Sequence, residues 1–292
     1  MQNKGIIGAV CGDIIGSIYE FNSTKDPNFK LFTSQSTFTD DTVMTCAVAE
    51  WLMDDPKHSH ENLIEIMHCY GEEYPHRGYG GMFKQWLENK WTEPYNSFGN
   101  GSAMRVSPVA YCYEDEYQML KAAEATAACS HNHPEGIKGA KTVAMAIHTA
   151  RELHQGRDVL GEKDIDYILS RCTAISDYDI EIEKADVINR FDETCQGTVP
   201  VALWIIGEST SFEDAVRKAV SLGADADTLG AIVGSIAEAI WGIPIDMQIH
   251  AMNYLPTDMK RVVLRFYKRY IEGEFLAGYG DEGAAIDLLT ED

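Results

Sequence analysis

Apolar residues recur at intervals of three and four along most of this chain, the pattern of helices that bury one face. It predicts helices over residues 5–20, 42–54, 60–73, 81–91, 115–129 and 135–154, then a charged helical region over 162–190. Further helices are predicted from Thr198, over 212–222, in the apolar run that opens at Thr228, and twice within 244–271. Residues 22–38 carry Ser, Thr, Asn and Pro and read as a loop. No stretch alternates long enough to predict a sheet. The expected fold class is therefore all-α, as one mostly helical domain over 1–292 whose acidic end, 278–292, is loosely held.

Two of these helices carry an unusual face. Gly8, Gly12 and Gly16 stand at i, i+4 and i+8 in the first, and Gly230 and Gly234 repeat the spacing in the run after Thr228. A glycine costs a helix interior roughly 1 kcal/mol relative to alanine, so such a face calls for close approach of another helix or of a ligand. Asp13 and Glu20 lie about two turns apart on the first helix and share a face. Asp13 suits a buried partner. Glu20, at the predicted helix end, reads as a working carboxylate or as a solvated one.

Composition narrows the function classes. With 45% hydrophobic and 24% charged residues the chain has the balance of a soluble globular protein. Its formal charge of −22, from 46 acidic and 24 basic residues, repels polyanions, so nucleic-acid binding is not expected. An anionic small molecule needs local devices such as a metal, a helix N-terminus or a few placed cations. The seven cysteines are scattered without a CxxC pair, which argues against a disulfide framework and for a reducing compartment. No run is of membrane-spanning length, and the apolar N-terminal stretch, broken by Asp13, is too short and polar for a signal peptide. The expected location is cytoplasmic, with no membrane partner. His131 and His133 have no third nitrogen or sulfur ligand near them in sequence, so zinc is not expected.

The chemistry concentrates in two acidic helix starts. Thr39-Asp40-Asp41-Thr42 precedes the apolar run Val43–Met53, and Gly223-Ala224-Asp225-Ala226-Asp227-Thr228 opens the second glycine-faced helix. Each alone reads equally as an N-cap with an acidic first turn. Both helices, however, are too apolar for the surface, so their acidic ends are expected to meet near the core. Four clustered carboxylates repel one another unless cations hold them. Hard oxygen donors of this kind suit Mg²⁺, Mn²⁺ or Ca²⁺, and a two-metal site that binds a substrate diol and orients water is the economical expectation. Ser97-Phe98-Gly99-Asn100-Gly101-Ser102 reads either as a phosphate or ribose cradle or as an ordinary tight turn. A prenyl-diphosphate DDxxD reading of Asp40-Asp41 fails because its last acidic position holds Met44.

The segments GAVCGDIIGSIYE, TDDT, SFGNGSAMR, SHNHPEGIKGA and DADTLGAIVGSIAEAIWGIP resemble, in order and spacing, the ADP-ribosylglycohydrolase family over residues 5–245. The resemblance implies a compact orthogonal multi-helix bundle with two Mg²⁺ or Mn²⁺ ions in a central dinuclear cleft. It implies hydrolysis of the N- or O-glycosidic bond between ADP-ribose and an acceptor, a protein side chain or a small molecule, with release of ADP-ribose. It makes Thr39, Asp40, Asp41, Asp225, Asp227 and Thr228 metal ligands, and Glu20, Asp41 and Asp227 candidate catalytic carboxylates. Ser97, Phe98, Gly99, Asn100, Gly101 and His131 become substrate-binding residues. The aromatic that stacks adenine in some members falls near Thr92, with Trp91 and Tyr95 as substitutes, and Ala224 replaces a glycine common in the family. The same resemblance admits a catalytically silent ADP-ribose-binding member or a structural, crystallin-like one.

Overall fold

The computed structural model describes residues 5–223 and 225–271, so Ala224 and the acidic segment 278–292 lie outside the described residues. In chain order the helices are α1 (Ile7–Gly16), α2 (Asp40–Asp54), α3 (His60–Glu73), α4 (Gly81–Glu88), α5 (Gly101–Met104), α6 (Val109–Cys112), α7 (Glu116–Ala128) and α8 (Pro134–His154). They continue with α9 (Glu162–Ser176), α10 (Lys184–Val187), α11 (Cys195–Gly207), α12 (Phe212–Ser221), α13 (Ala226–Trp241), α14 (Ile245–Asn253) and α15 (Thr257–Tyr270). The fold is all-α, as expected; among the described residues the only strand-like pairing is one antiparallel bridge, Gly99 with Thr194. No helix among them is long and apolar enough to cross a membrane.

The centre of the molecule is the antiparallel pair α1 and α13, both buried along nearly their whole length. Their glycine faces meet. A Cβ on Gly8 would collide with the carbonyl of Gly234, one on Gly12 with that of Gly230, and one on Gly16 with that of Ala226. The relation is reciprocal: a Cβ on Gly230 would lie 2.6 Å from the Gly12 carbonyl oxygen. Only backbone fits between the two axes, which is why both sequences accept the helix cost of glycine. At one end of the pair, the buried Glu238 of α13 accepts hydrogen bonds from the free N–H groups of Gly5 (2.8 Å) and Gly8 (2.5 Å) and from the Tyr267 hydroxyl (2.6 Å). A carboxylate there satisfies amides that the first turn of α1 leaves unpaired. At the other end, the C-terminus of α1 lies beside the N-terminus of α13.

The N-terminus of α2 is added to this pair by an exchange of capping partner. Thr39 occupies the N-cap position, yet its side chain accepts nothing from its own helix. Asp13 of α1 acts in its place, accepting from the backbone N–H groups of Thr39 (2.9 Å) and Thr42 (3.1 Å) and from both threonine hydroxyls. The capping function of the first acidic motif is thus supplied by a carboxylate from another helix.

Two expected boundaries move. The first helix ends at Gly16, and residues 17–20 form a turn, so Glu20 sits on a turn and not on the helical face of Asp13. The charged region 162–190 is not one helix: α9 stops where Asp177 adopts a left-handed conformation (φ 55°), followed by extended chain and the single turn of α10. Aspartate tolerates that conformation better than most residues, and charge periodicity carries no sign of it.

Substitution Gly12→Ala is expected to cost about 1–3 kcal/mol through overpacking against the α13 backbone. Gly81→Ala, where a Cβ meets nothing within 4 Å, is expected to gain about 0.4–1 kcal/mol from the lower entropy of the unfolded chain. Urea denaturation midpoints of the two variants check the opposite signs.

Candidate functional site

Three helix ends converge: the C-terminus of α1 with Asp13, the N-terminus of α2 with Asp41, and the N-terminus of α13 with Asp225, Asp227 and Thr228. The positive ends of two helix dipoles therefore face one collection of acids. Oxygens of Asp13, Asp41 and Asp227 lie within 4.8 Å of one another, and so do oxygens of Glu20, Asp225 and Asp227. Asp227 belongs to both triads. None of these carboxylates has a Lys or Arg partner among the described residues.

The surrounding hydrogen bonds orient the acids without neutralising them. Asp41 Oδ2 accepts from the Thr228 hydroxyl (3.2 Å), which ties the two acidic motifs together directly, and lies 3.1 Å from the Thr39 hydroxyl, whose one proton it shares with Asp13. Its other oxygen, Oδ1, is buried and has no partner. Asp227 Oδ1 accepts from the Thr228 N–H at 3.0 Å. Asn100 donates through Nδ2 to Asp225 Oδ2 at 2.8 Å and to the Thr198 hydroxyl at 3.1 Å.

Burial and mutual repulsion raise every acid here. Burial, then the charge of Asp227, lifts Asp13 from 3.8 to about 7 against the opposing hydrogen bonds of Thr42 and Thr39. Burial lifts Glu20 from 4.5 to about 8, with Asp227, Glu193 and Asp13 adding to it. Asp40, Asp41 and Asp225 are pushed well above the usual carboxylate range, by burial first and Asp227 second. An all-oxygen donor set, an orphaned buried carboxylate oxygen and uncompensated charge together fit hard divalent cations. The two triads share Asp227.

Glu20, Asp225 and Asp227 of the second triad form part of the lining of a cleft of about 500 Å³, and Asp13 and Asp41 are buried and do not line it. Of the residues singled out from the sequence, Glu20, Asp40, Asp225, Asp227 and Thr228 line it, as do Ser97, Phe98, Gly99, Asn100, Gly101 and His131. Thr39 and Asp41 lie buried beneath. Asp40 stands outside both triads, with Oδ1 beside Gly78. The 97–101 loop is braced by residues 193–195: Asn100 N–H donates to the Glu193 carbonyl (2.8 Å), and Cys195 N–H to that of Phe98 (2.9 Å). Gly99 N–H donates to Ser97 Oγ at 3.1 Å, so two of the loop's amides are engaged within the protein. Tyr95, and not Trp91, lines the cleft. The two histidines separate in role: His133 accepts from Glu135 N–H at the start of α8, whereas His131 is buried at the cleft wall.

Sequence reasoning left out several members. Asp13 was legible only as a buried partner, since nothing local to it marks its distance from Asp41 and Asp227. Glu193 reaches the cleft through loop pairing and carries no signal in sequence, whereas Arg105, which reaches it through the turn after the glycine loop, closes the segment SFGNGSAMR without a role assigned to it there.

Comparison with known proteins places the chain in a family. A family model described as ADP-ribosylglycohydrolase matches residues 4–273. The chain is 26% identical to ADP-ribosylhydrolase ARH3 of Homo sapiens, over 87% of this chain and 90% of that one. It is 23% identical to the ADP-ribosylarginine hydrolase Tri1 of Pseudomonas putida, over 82% of this chain and 70% of that protein. A solved ADP-ribosylglycohydrolase-related protein complex has the same fold, with a TM-score of 0.65, 22% identity, and coverage of 90% of this chain and 95% of that one.

The raised carboxyls set the pH dependence of the metal-free protein. Between about pH 4 and 8 the folded state binds more protons than the unfolded state, whose carboxyls titrate near 4. Their contribution is therefore most favourable at low pH and is lost as pH rises through about 7 for Asp13 and about 8 for Glu20. Melting scans in EDTA should show Tm falling from pH 5 to pH 8, and millimolar Mg²⁺ or Mn²⁺ should raise Tm most at pH 8. A flat EDTA profile with no cation effect would contradict this. Asp13→Asn is expected to weaken Mn²⁺ binding about 10- to 100-fold, as read by titration calorimetry.

Proposed function

The chain belongs to the ADP-ribosylglycohydrolase family, and from that premise we propose that it is a divalent-metal-dependent hydrolase that releases ADP-ribose from an N- or O-linked acceptor. Two carboxylate triads sharing Asp227 on one cleft carry this reading. Asp13, Asp41, Asp225 and Asp227 would hold two Mg²⁺ or Mn²⁺ ions, with Thr39, Thr228 and Asn100 fixing the orientation of the acids. When bound, such ions supply the positive charge that holds ribose hydroxyls and offsets the acid cluster.

The protein's own groups divide the remaining work. Cleavage of the glycosidic bond develops positive charge on the ribose ring, and the aspartates across the cleft stabilise it electrostatically. Glu20, half-buried on the turn after α1 and beside Asp225 and Asp227, stands where a proton can pass to the leaving acceptor or from the attacking water. The 97–101 loop and His131 form the wall for the diphosphate and its ribose, and Tyr95 offers a ring face there for adenine. Asp40 lies close enough to the triads to join the ligand set on cation binding. Relatives named for ADP-ribosyl hydrolysis support the class of substrate; the acceptor is a side chain such as arginine or serine, or a small molecule. A silent binding member of the same family is the second reading, and the full set of acids weighs against it.

The deciding experiment offers arginine-linked and serine-linked ADP-ribosyl peptides and measures free ADP-ribose. Release from at least one, abolished by EDTA and restored by Mg²⁺ or Mn²⁺, is expected. ADP-ribose binding without any release would establish the silent reading. Glu20→Gln is expected to lower kcat about 10²- to 10⁴-fold with cation binding preserved; unchanged turnover would remove Glu20 from the chemistry.

A further inference from the structure

One buried cation has no carboxylate partner among the described residues. Arg105 is fully buried behind the cleft wall and is the one lysine or arginine among the residues lining the cleft. Its Nη2 donates to the Thr126 carbonyl and to Ser130 Oγ, each at 2.8 Å, while Nε and Nη1 have no partner. Ser130 Oγ in turn lies 2.8 Å from His131 Nδ1. The ring of His131 is clamped by Phe83 and Tyr95, with centroids 5.9 and 5.7 Å away. Its Nε2 abuts the glycine loop, 3.1 Å from where a Cβ on Gly101 would stand and 3.5 Å from one on Gly99.

The direction of each hydrogen bond in this chain follows from valence. A guanidinium only donates, so Ser130 Oγ accepts from Arg105. The serine has one proton to give, and apart from His131 Nδ1 the nearest recipient is the Cys129 sulfur at 3.9 Å, too far for a good hydrogen bond. Donation from Ser130 to an unprotonated Nδ1 is the arrangement that places the serine proton in a good hydrogen bond. Burial, with the nearby charge of Arg105 adding to it, disfavours the imidazolium and keeps the ring neutral. The remaining ring proton then sits on Nε2, which faces the cleft and has no protein acceptor among the described residues.

We propose that Arg105 and Ser130 are positioning residues that lock His131 in the neutral Nε2–H tautomer, giving the acidic cleft a fixed donor for the phosphate oxygens of a diphosphate ligand. A histidine free to change tautomer would, with its proton on Nδ1, present a lone pair to the same oxygens and repel them. The unpaired guanidinium behind the ring supplies the positive field that draws an anion to this wall and away from the carboxylates. The ligand named here rests on the proposed function; the tautomer does not.

Two measurements on the full chain test the proposal separately from the activity. Two-bond ¹H–¹⁵N spectra of ¹⁵N-histidine protein, with His131 assigned by the His131→Gln variant, should show Nδ1 unprotonated and Nε2 protonated from pH 6 to 8. Ser130→Ala should shift the ring toward a mixture of tautomers. ADP-ribose calorimetry should find His131→Gln, whose amide nitrogen can replace Nε2–H, within about threefold of wild type, and His131→Asn at least about tenfold weaker. A wild-type ring protonated on Nδ1, or on both nitrogens at pH 7, overturns the lock whatever bond the enzyme cleaves. Equal losses in the Gln and Asn variants overturn the donor role. Absence of ADP-ribose binding in wild type with the Nε2–H tautomer present overturns the ligand and the functional reading but leaves the lock.

Discussion

The contact on which the rest of this protein depends is the backbone-to-backbone crossing of α1 and α13. Gly8, Gly12, Gly230 and Gly234 leave no side chain between the axes. Asp13 on one helix and Asp227 on the other therefore stand close enough for their oxygens to share a triad. Any side chain on the glycine faces would part the helices by more than an ion's coordination distance tolerates. Four helical glycines are a large local cost, roughly 1 kcal/mol each, and it is offset by packing and by the hydrogen bonds that Glu238 makes across the far end of the pair. The glycines thus matter to the site even where they do not touch it.

On that frame the electrostatics are organised by polarity along the cleft. Asp13 caps α2 and also accepts from the Thr39 and Thr42 hydroxyls, which fixes the first acidic motif against α1, while the Thr228 hydroxyl ties Asp41 to α13. The N-termini of α2 and α13 add partial positive charge behind the acids, yet no side-chain cation among the described residues joins them, and burial raises all of their pKa values. Elsewhere in the same cleft the arrangement is reversed: a buried arginine with two unpaired donors and a neutral histidine. A cation-seeking floor and an anion-seeking wall suit a ligand that brings ribose hydroxyls to one and a diphosphate to the other, in a protein whose overall charge of −22 would repel such a ligand from most of its surface.

Much of this was legible in the sequence because the chemistry is written in consecutive residues. Thr39-Asp40-Asp41-Thr42 and Asp225-Ala226-Asp227-Thr228 stand out as acidic starts of apolar helices, and the i, i+4 glycines announce close packing before any partner is known. The individual assignments within the motifs were less legible. Asp40 precedes Asp41 in a similar local context, yet it lies outside both triads while Asp41 is buried beside two threonine hydroxyls; the one-residue step in helix phase separates them. Asp13 is missing from a local reading because its role is to cap a helix 26 residues away. Ser130 and Arg105 resemble ordinary core polar residues until their partners are seen. The break at Asp177 lies in a backbone angle, to which charge patterning is blind.

The central claim is that the two acidic helix starts form one cation centre. Anomalous scattering from crystals grown with Mn²⁺ tests it most directly. The account predicts two peaks in the cleft, both in contact with Asp227, one on the side of Asp13 and Asp41 and the other on the side of Glu20 and Asp225. No peak at Asp227 at saturating Mn²⁺, or ions held elsewhere on the acidic surface alone, would contradict it.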